Sequence, residues 1–330
     1  MKKSLKGVAA LAAALSLSLA ACASTPQSGG ATTAPGGETP APGGDVKVAV
    51  ILKTLGSEFW QNMKAGIEDE AAKLGVEVDI QAGNSEDDVE GQVNLVQNVI
   101  SKGYDAIGVA PISPVNLNNV LAEATKAGIK IVNIDEQVDL ENLRSLGGGI
   151  QAFVTTNNVE VGQMAGEFLT KQLTKGDQVA IIEGKAGVSS GEARKQGATE
   201  AFEAAGMEIV ASQPADWDRT RAFDMATNFI NKFGDLKAIY CANDTMAMGA
   251  QEAVEKSGKQ ILVVGTDGNS DAIESVQAGG LAATVKQDTA TVGSTALNLL
   301  LELGGSDEAI DIAADPELVY APPVLITKEG

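Results

Sequence analysis

Residues 49–66 read AVILKTLGSEFWQNMKAG. The apolar run 49–52 ends at Lys53, Gly56 and Ser57 make a turn, and from Phe59 onward the apolar residues recur at a helical interval. A strand that hands over to a helix through a polar turn is the repeating unit of a sheet wound with helices. Two unusual residues stand at this junction: Lys53 closes the strand, and Trp60, one of only two tryptophans, opens the helix.

Downstream the unit recurs. Short runs rich in Val and Ile (VKVAVIL, VEVDIQA, DAIGVAP, IKIVNI, then QVAIIEG, MEIVASQ, KAIYCAN, ILVVGTDG and LAATVKQ) alternate with amphipathic stretches. Continuous apolar runs imply strands covered on both faces. Phe59, Met63, Ile67, Ala71 and Leu74 form one helical stripe that stops at Gly75, and Val89, Val93, Val96 and Ile100 form another. The alternation occurs twice, separated by a loop-like segment that ends in a short β-rich run, Phe153 to Thr156. A single sheet would need about ten strands, near the limit for a twisted open sheet. The expected fold is therefore α/β, with two wound lobes of parallel strands joined by a hinge.

The segment before this pattern has a different character. Residues 1–22 have a basic head, an apolar stretch and a small-residue zone, which together read as an export signal. Its end, Leu19-Ala20-Ala21-Cys22, resembles the bacterial lipoprotein signal, with Cys22 as the lipidation site. Residues 23–45 are almost all Ser, Thr, Pro, Gly and Ala and read as a disordered tether. With Cys22 lipidated, Cys241 has no partner, so no intramolecular disulfide is expected. The implied location is the outer face of the cytoplasmic membrane, in a periplasm or at a cell surface.

Composition removes whole classes of function. Lys and Arg number 24 against 44 Asp and Glu, a net charge of −20, which argues against nucleic acid. The chain has no histidine, so no Ser-His-Asp or Cys-His relay and no His-type zinc site can be built. No cofactor or metal is implied. Gly187-Val188-Ser189-Ser190-Gly191 matches G-x-S-x-G, but its serine has no triad base. The glycine run 147–149 leads into a strand rather than a helix, so it lacks the helix N-terminus that pyrophosphate needs.

In an open α/β sheet, ligands bind beyond the carboxyl ends of the strands. The residues at these exits are Lys53, Asp135-Glu136, Asn157, Lys185, Asp216-Trp217, Asn243-Asp244, Asp267 and Gln287-Asp288. Helix capping explains part of this polarity but neither the lysine nor the tryptophans. Trp60 lies one residue off the stripe that carries Phe59, so it is not expected to point cleanly into the sheet. Trp217 lies in the polar loop QPADWDR. One indole per lobe, each at a strand exit, suits a sugar: ring C–H groups pack on the indoles while hydroxyls meet Asp, Asn, Lys, Arg and Gln. Asp135 and Glu136, read as neighbours on a strand, should face opposite sides, which favours binding by one over acid–base work by both.

The stretches LKTLGSEFW, GIEDEAAKLGV, NIDEQ, FVTTNNVEVG, IIEGKAGVSSGEARKQGATEAF, ASQPADWDR, IYCANDTMAMG and VVGTDG carry a resemblance. Together they resemble the periplasmic sugar-binding proteins of ABC importers, in the ribose-binding branch and nearest its allose type. The resemblance implies a type I periplasmic-binding-protein fold: two Rossmann-like lobes joined by three hinge strands and closed on a monosaccharide. It assigns residues 46–156 plus 288–322 to the N-terminal lobe and 157–287 plus 323–330 to the C-terminal lobe. Ligand contacts then fall on Lys53, Phe59, Trp60, Asp135, Arg194, Trp217, Asn243, Asp267 and Gln287, with Ser57 as the tenth candidate. Ser57 stands where the ribose pattern has Asn, Glu58 where it has Pro, and Asp135-Glu136 where it has Asp-Arg; Lys53 and Asp135-Glu136 agree with the allose type. The shorter Ser57 side chain removes one reach to the sugar.

The implied partners are a monosaccharide, an ABC permease and the lipid at Cys22, with the protein itself a monomer. A sensor that presents its closed form to a chemotaxis or signalling receptor would share every one of these sequence features. A furanose, a nucleoside, a cyclitol or a signalling sugar is an alternative ligand. A lac-repressor-type regulator would need a DNA-binding helix pair where the export signal stands. An exported enzyme would have to work with isolated carboxylates.

Overall fold

A computed structural model describes residues 46–329. The expected export signal, the lipidation at Cys22 and the tether lie outside the described residues. The first half of the chain contributes β1 (Val48–Leu52), β2 (Val78–Ala82), β3 (Ala106–Val109), β4 (Lys130–Ile134) and β5 (Ala152–Thr156). The second half adds β6 (Gln178–Glu183), β7 (Glu208–Pro214), β8 (Leu236–Cys241), β9 (Leu262–Asp267) and β10 (Ala283–Lys286), and two short strands, β11 (Glu317–Ala321) and β12 (Val324–Thr327), follow. The helices between them are α1 (Glu58–Leu74), α2 (Val89–Lys102), α3 (Asn118–Lys126), α4 (Leu140–Ser145) and α5 (Asn158–Thr170). They continue as α6 (Ser189–Ala205), α7 (Arg219–Lys232), α8 (Asp244–Ser257), α9 (Ser270–Ala278) and α10 (Thr289–Gly304).

Two six-stranded sheets result, in the orders β11-β5-β4-β3-β1-β2 and β12-β10-β9-β8-β6-β7. All pairings are parallel except β10 with β12. The chain passes from one sheet to the other three times: between β5 and β6, between β10 and β11, and between β11 and β12. These are the three crossings of the type I periplasmic-binding-protein fold.

Burial explains which strands read as apolar runs. β1, β3, β4 and β5 are buried throughout and β6 and β8 nearly so, as strands covered on both faces must be. The edge strands depart from that reading. β2 (VDIQA) is half-buried along its length and β7 (EIVASQP) largely exposed, and their polar residues suit edges that must not recruit another strand. Each sheet is flanked by two apolar clusters. Met63 and Ile67 of α1 and Leu297 and Leu300 of α10 cover one face of the first sheet, although α10 follows a strand of the second. Val161, Ala165 and Leu169 of α5 pack on the second sheet, although α5 follows a strand of the first.

Two helical stripes differ from expectation by a small rotation. α1 buries Trp60, Met63, Gly66, Ile67 and Ala71 and leaves Phe59 half-buried, so Trp60 lies on the core stripe. α2 buries Gln92, Val96 and Val99 and exposes Val89. In both cases the i, i+3, i+4 pattern holds but starts elsewhere. Gln92 is buried because its amide donates to the Ala110 carbonyl at 2.8 Å and its oxygen accepts from the Ile112 N–H at 3.1 Å, pinning the β3 exit.

Candidate ligand cleft

The carboxyl ends of both sheets converge on one cavity of about 390 Å³, within the size range of small-molecule sites. First-sheet elements contribute Lys53, Ser57, Phe59, Trp60 and Asp135; second-sheet elements contribute Arg194, Trp217, Asn243 and Asp267. Gln287 stands behind this lining, where its amide donates to Asp267 Oδ1 at 2.7 Å and its own oxygen is buried without a partner. Nine of the ten residues expected from sequence thus line the cavity, and the tenth supports one of them.

The two indoles have parallel supports. Trp60 meets Phe59 edge-to-face with ring centroids 4.9 Å apart, lies 5.6 Å from the Lys53 ammonium, and donates its Nε1–H to Glu86 at 2.7 Å. Trp217 lies 5.8 Å from the Arg194 guanidinium. A Cβ at Gly184 would overlap the Trp217 ring, so only glycine at the β6 exit lets the indole lie there. Each aromatic plate therefore has a cation over its ring, and both cations also line the cavity.

Arg194 is buried and held from three directions. Its Nε donates to Asn158 Oδ1 at 2.8 Å, its Nη1 donates to the Ala242 carbonyl at 2.7 Å, and the same nitrogen stands 3.5 Å from Asp267 Oδ1. Asn243 accepts the Met246 N–H at 2.9 Å as the N-cap of α8, which leaves its amide nitrogen available to a ligand. Asn157 and Asp288 serve as N-caps in the same way, so capping accounts for those two exits.

Four non-glycine residues have positive φ: Asp135 (61°), Asp216 (54°), Trp217 (64°) and Asp267 (118°). All sit at strand exits facing the cavity or beside it. Such backbone costs on the order of 1–3 kcal/mol per residue and is retained where neighbours over-determine it. At Asp135 those neighbours are visible: its N–H donates to the Val154 carbonyl at 2.8 Å, and Thr155 Oγ1 donates to its carbonyl at 2.8 Å. β4 ends at Ile134, so Asp135 and Glu136 are not strand neighbours facing opposite sides. Both turn toward the cleft: Asp135 lines the cavity, and the fully buried Glu136 reaches across it.

Burial pushes the Asp135 carboxyl up to about 6; Lys53 and Arg194 pull it back, while Glu136 and Glu86 add to the rise. Burial likewise raises Asp267 to about 6, against the pull of Arg194 and the Gln287 hydrogen bond. Such groups accept hydrogen bonds from hydroxyl donors, while Lys53, Arg194 and Asn243 donate. The cavity thus offers flat apolar walls ringed by acceptors and donors.

The lining also includes Glu86, Asn84, Ser190, Thr245 and Asn269, which sequence reasoning did not select. Asn84 to Glu86 follow β2, and the rule of reading each strand exit would have found them had it been applied there.

The periplasmic binding protein domain model matches residues 48–307. The chain belongs to the periplasmic binding protein family. This binding protein is 50% identical over 284 residues to the D-allose-binding periplasmic protein of Escherichia coli strain K12, covering 85% of this chain and 91% of that one. It is 33% identical to a ribose import binding protein of Bacillus subtilis over 249 residues, 76% of this chain and 78% of the relative. Among solved structures, a periplasmic solute-binding protein of an ABC transporter from Actinobacillus succinogenes, with D-allose bound, superposes with a TM-score of 0.79 at 33% identity. That match covers 86% of this chain and 98% of the other. These relatives are binding proteins, in agreement with a chain that carries no histidine-based catalytic relay.

Proposed function

We propose that this protein is an extracytoplasmic lipoprotein, anchored through Cys22, that captures an allose- or ribose-like monosaccharide and delivers it to an ABC importer. The observation that carries the reading is the pair of indoles, Trp60 and Trp217, contributed by elements of different sheets to one cavity, with Asp135, Asp267, Lys53, Arg194 and Asn243 around them. Pyranose C–H faces pack on aromatic rings, and hydroxyls exchange hydrogen bonds with carboxylates, amides and cations. A hydroxyl left unpaired in such a site costs about 1–3 kcal/mol, which is how the wrong epimer is rejected. The 50% identity to a D-allose-binding protein makes D-allose the first sugar to try. Titration of the tryptophan fluorescence of the mature protein with D-allose, D-ribose and other hexoses and pentoses tests the proposal. A saturable change with micromolar or tighter D-allose is expected. Silence toward the whole panel, repeated by calorimetry, would overturn it.

A further inference from the structure

Three carboxylates on the first-sheet side of the cleft reach donors on the second-sheet side. Glu136, fully buried, accepts the Ser189 N–H at 2.6 Å and the Ser190 hydroxyl at 2.9 Å, and the Ser189 hydroxyl also donates to it. Glu58 accepts the Ser270 N–H through both oxygens at 3.2 and 3.1 Å and the Ser270 hydroxyl at 2.7 Å. Asp87 pairs with Lys185. Ser189 opens α6 and Ser270 opens α9, so Glu136 and Glu58 each also meet the positive end of a helix. None of these three carboxylates lines the cavity.

We infer that Glu136 and Glu58 are positioning residues whose cross-cleft bonds set the fraction of closed protein and, through it, how long the ligand is held. Glu136 is the more consequential of the two. Its Oε2 stands 3.8 Å from the Lys53 ammonium, and the helix it grips carries Arg194, so one carboxylate ties the cation beside Trp60 to the helix bearing the cation beside Trp217. Contacts made only in the closed form add to the affinity of that form and act on ligand escape rather than on entry. Burying a carboxylate is tolerable here because two hydroxyls, one N–H and a lysine satisfy it; without them it would oppose closure.

The inference rests on the monosaccharide reading only for its choice of probe. With D-allose, stopped-flow fluorescence of Glu136→Ala should give a dissociation rate at least tenfold faster, with the association rate within about threefold of the parent. Glu58→Ala should behave alike with a smaller effect, and Glu58→Gln, which keeps an acceptor, should restore part of it. Combining Glu136→Ala with Ser189→Ala, whose side chain does not line the cavity, should add little beyond Glu136→Ala alone, as expected for groups that act together. A mere packing role would lower the melting temperature without splitting the two rates. A ligand-free arm keeps the inference separate from the function. In a full-length Cys22→Ser chain carrying Asp87→Cys and Lys185→Cys, a short bismaleimide should bridge the cleft, and Glu136→Ala should cut the yield several-fold. If the parent binds no sugar while the yield falls, the monosaccharide reading fails and the clasp stands. Unchanged dissociation rates, or a cross-linking yield indifferent to Glu136→Ala, would overturn the clasp.

Discussion

Asp135 concentrates the conflict between stability and binding in one residue. Its carboxyl is raised from 3.8 to about 6, chiefly by burial, so the folded protein holds this proton more tightly than the unfolded chain does. Stability from this group is therefore full below 3.8 and is lost as pH rises through about 6, by on the order of 2–3 kcal/mol. Asp135→Asn removes the charge at nearly constant shape. The variant should melt higher than the parent at pH 7.5 without sugar, the difference should vanish near pH 4, and D-allose affinity should fall more than tenfold. Thermal melts at both pH values with and without sugar check all three. Glu86 offers a second test, because its carboxylate fixes the Trp60 indole through Nε1. Glu86→Ala should weaken sugar binding by roughly 1.5–3 kcal/mol, about the worth of a charge-assisted hydrogen bond, and shift the tryptophan emission; calorimetry and emission spectra read both. At this scale residue type was legible but conformation was not. Lys53, Asp135, Asp267 and both tryptophans stand out at strand exits in the sequence, whereas the positive φ of Asp135, Trp217 and Asp267 is imposed by contacts such as Thr155 that no local pattern reveals.

Elements place these residues through close helix packing. α5 and α6 approach so nearly that a Cβ at Gly197 would overlap the Val159 carbonyl, and one at Gly162 the Arg194 carbonyl. Two effects oppose each other in Gly197→Ala. Alanine gains about 1 kcal/mol of helix propensity, but a methyl group driven into backbone that cannot rotate away costs roughly 1–3 kcal/mol. Overpacking should win, lowering the unfolding free energy in denaturant titrations. Affinity should fall with it, because α6 carries Arg194. A variant as stable as the parent with unchanged affinity would show that this spacing does not place the guanidinium. Alternation of apolar runs with amphipathic stretches revealed the strands and helices, since buried parallel strands leave continuous Val and Ile. Met63, Ile67 and Ala71 of the α1 stripe are buried as expected, and only its first member differs: Phe59 and Trp60 are both large and apolar, and the sheet beneath decides which is the more buried. β11 (ELVYA) and β12 (VLIT) are apolar runs too, but they follow the strand–helix alternation and lie largely outside the core, so nothing in the residues alone shows that they pair with β5 and β10.

At the scale of the whole molecule the two sheets share one cavity and are held across it by Glu136, Glu58 and Asp87. Those contacts join residues 53, 212 and 98 positions apart, which is why the sequence suggested a cleft but not its clasp. Binding should offset the cost of the strained exits and the buried acids only when a ligand supplies hydroxyls to Asp135 and Asp267 and a C–H face to the two indoles. The central claim is that both plates, one from each side, grip a single small carbohydrate. Calorimetric titration of D-allose into the parent, Trp60→Ala and Trp217→Ala tests it most directly. One sugar per chain should bind the parent, and each substitution should weaken binding by at least tenfold while leaving the stoichiometry at one. Undiminished affinity after loss of either indole would contradict the account.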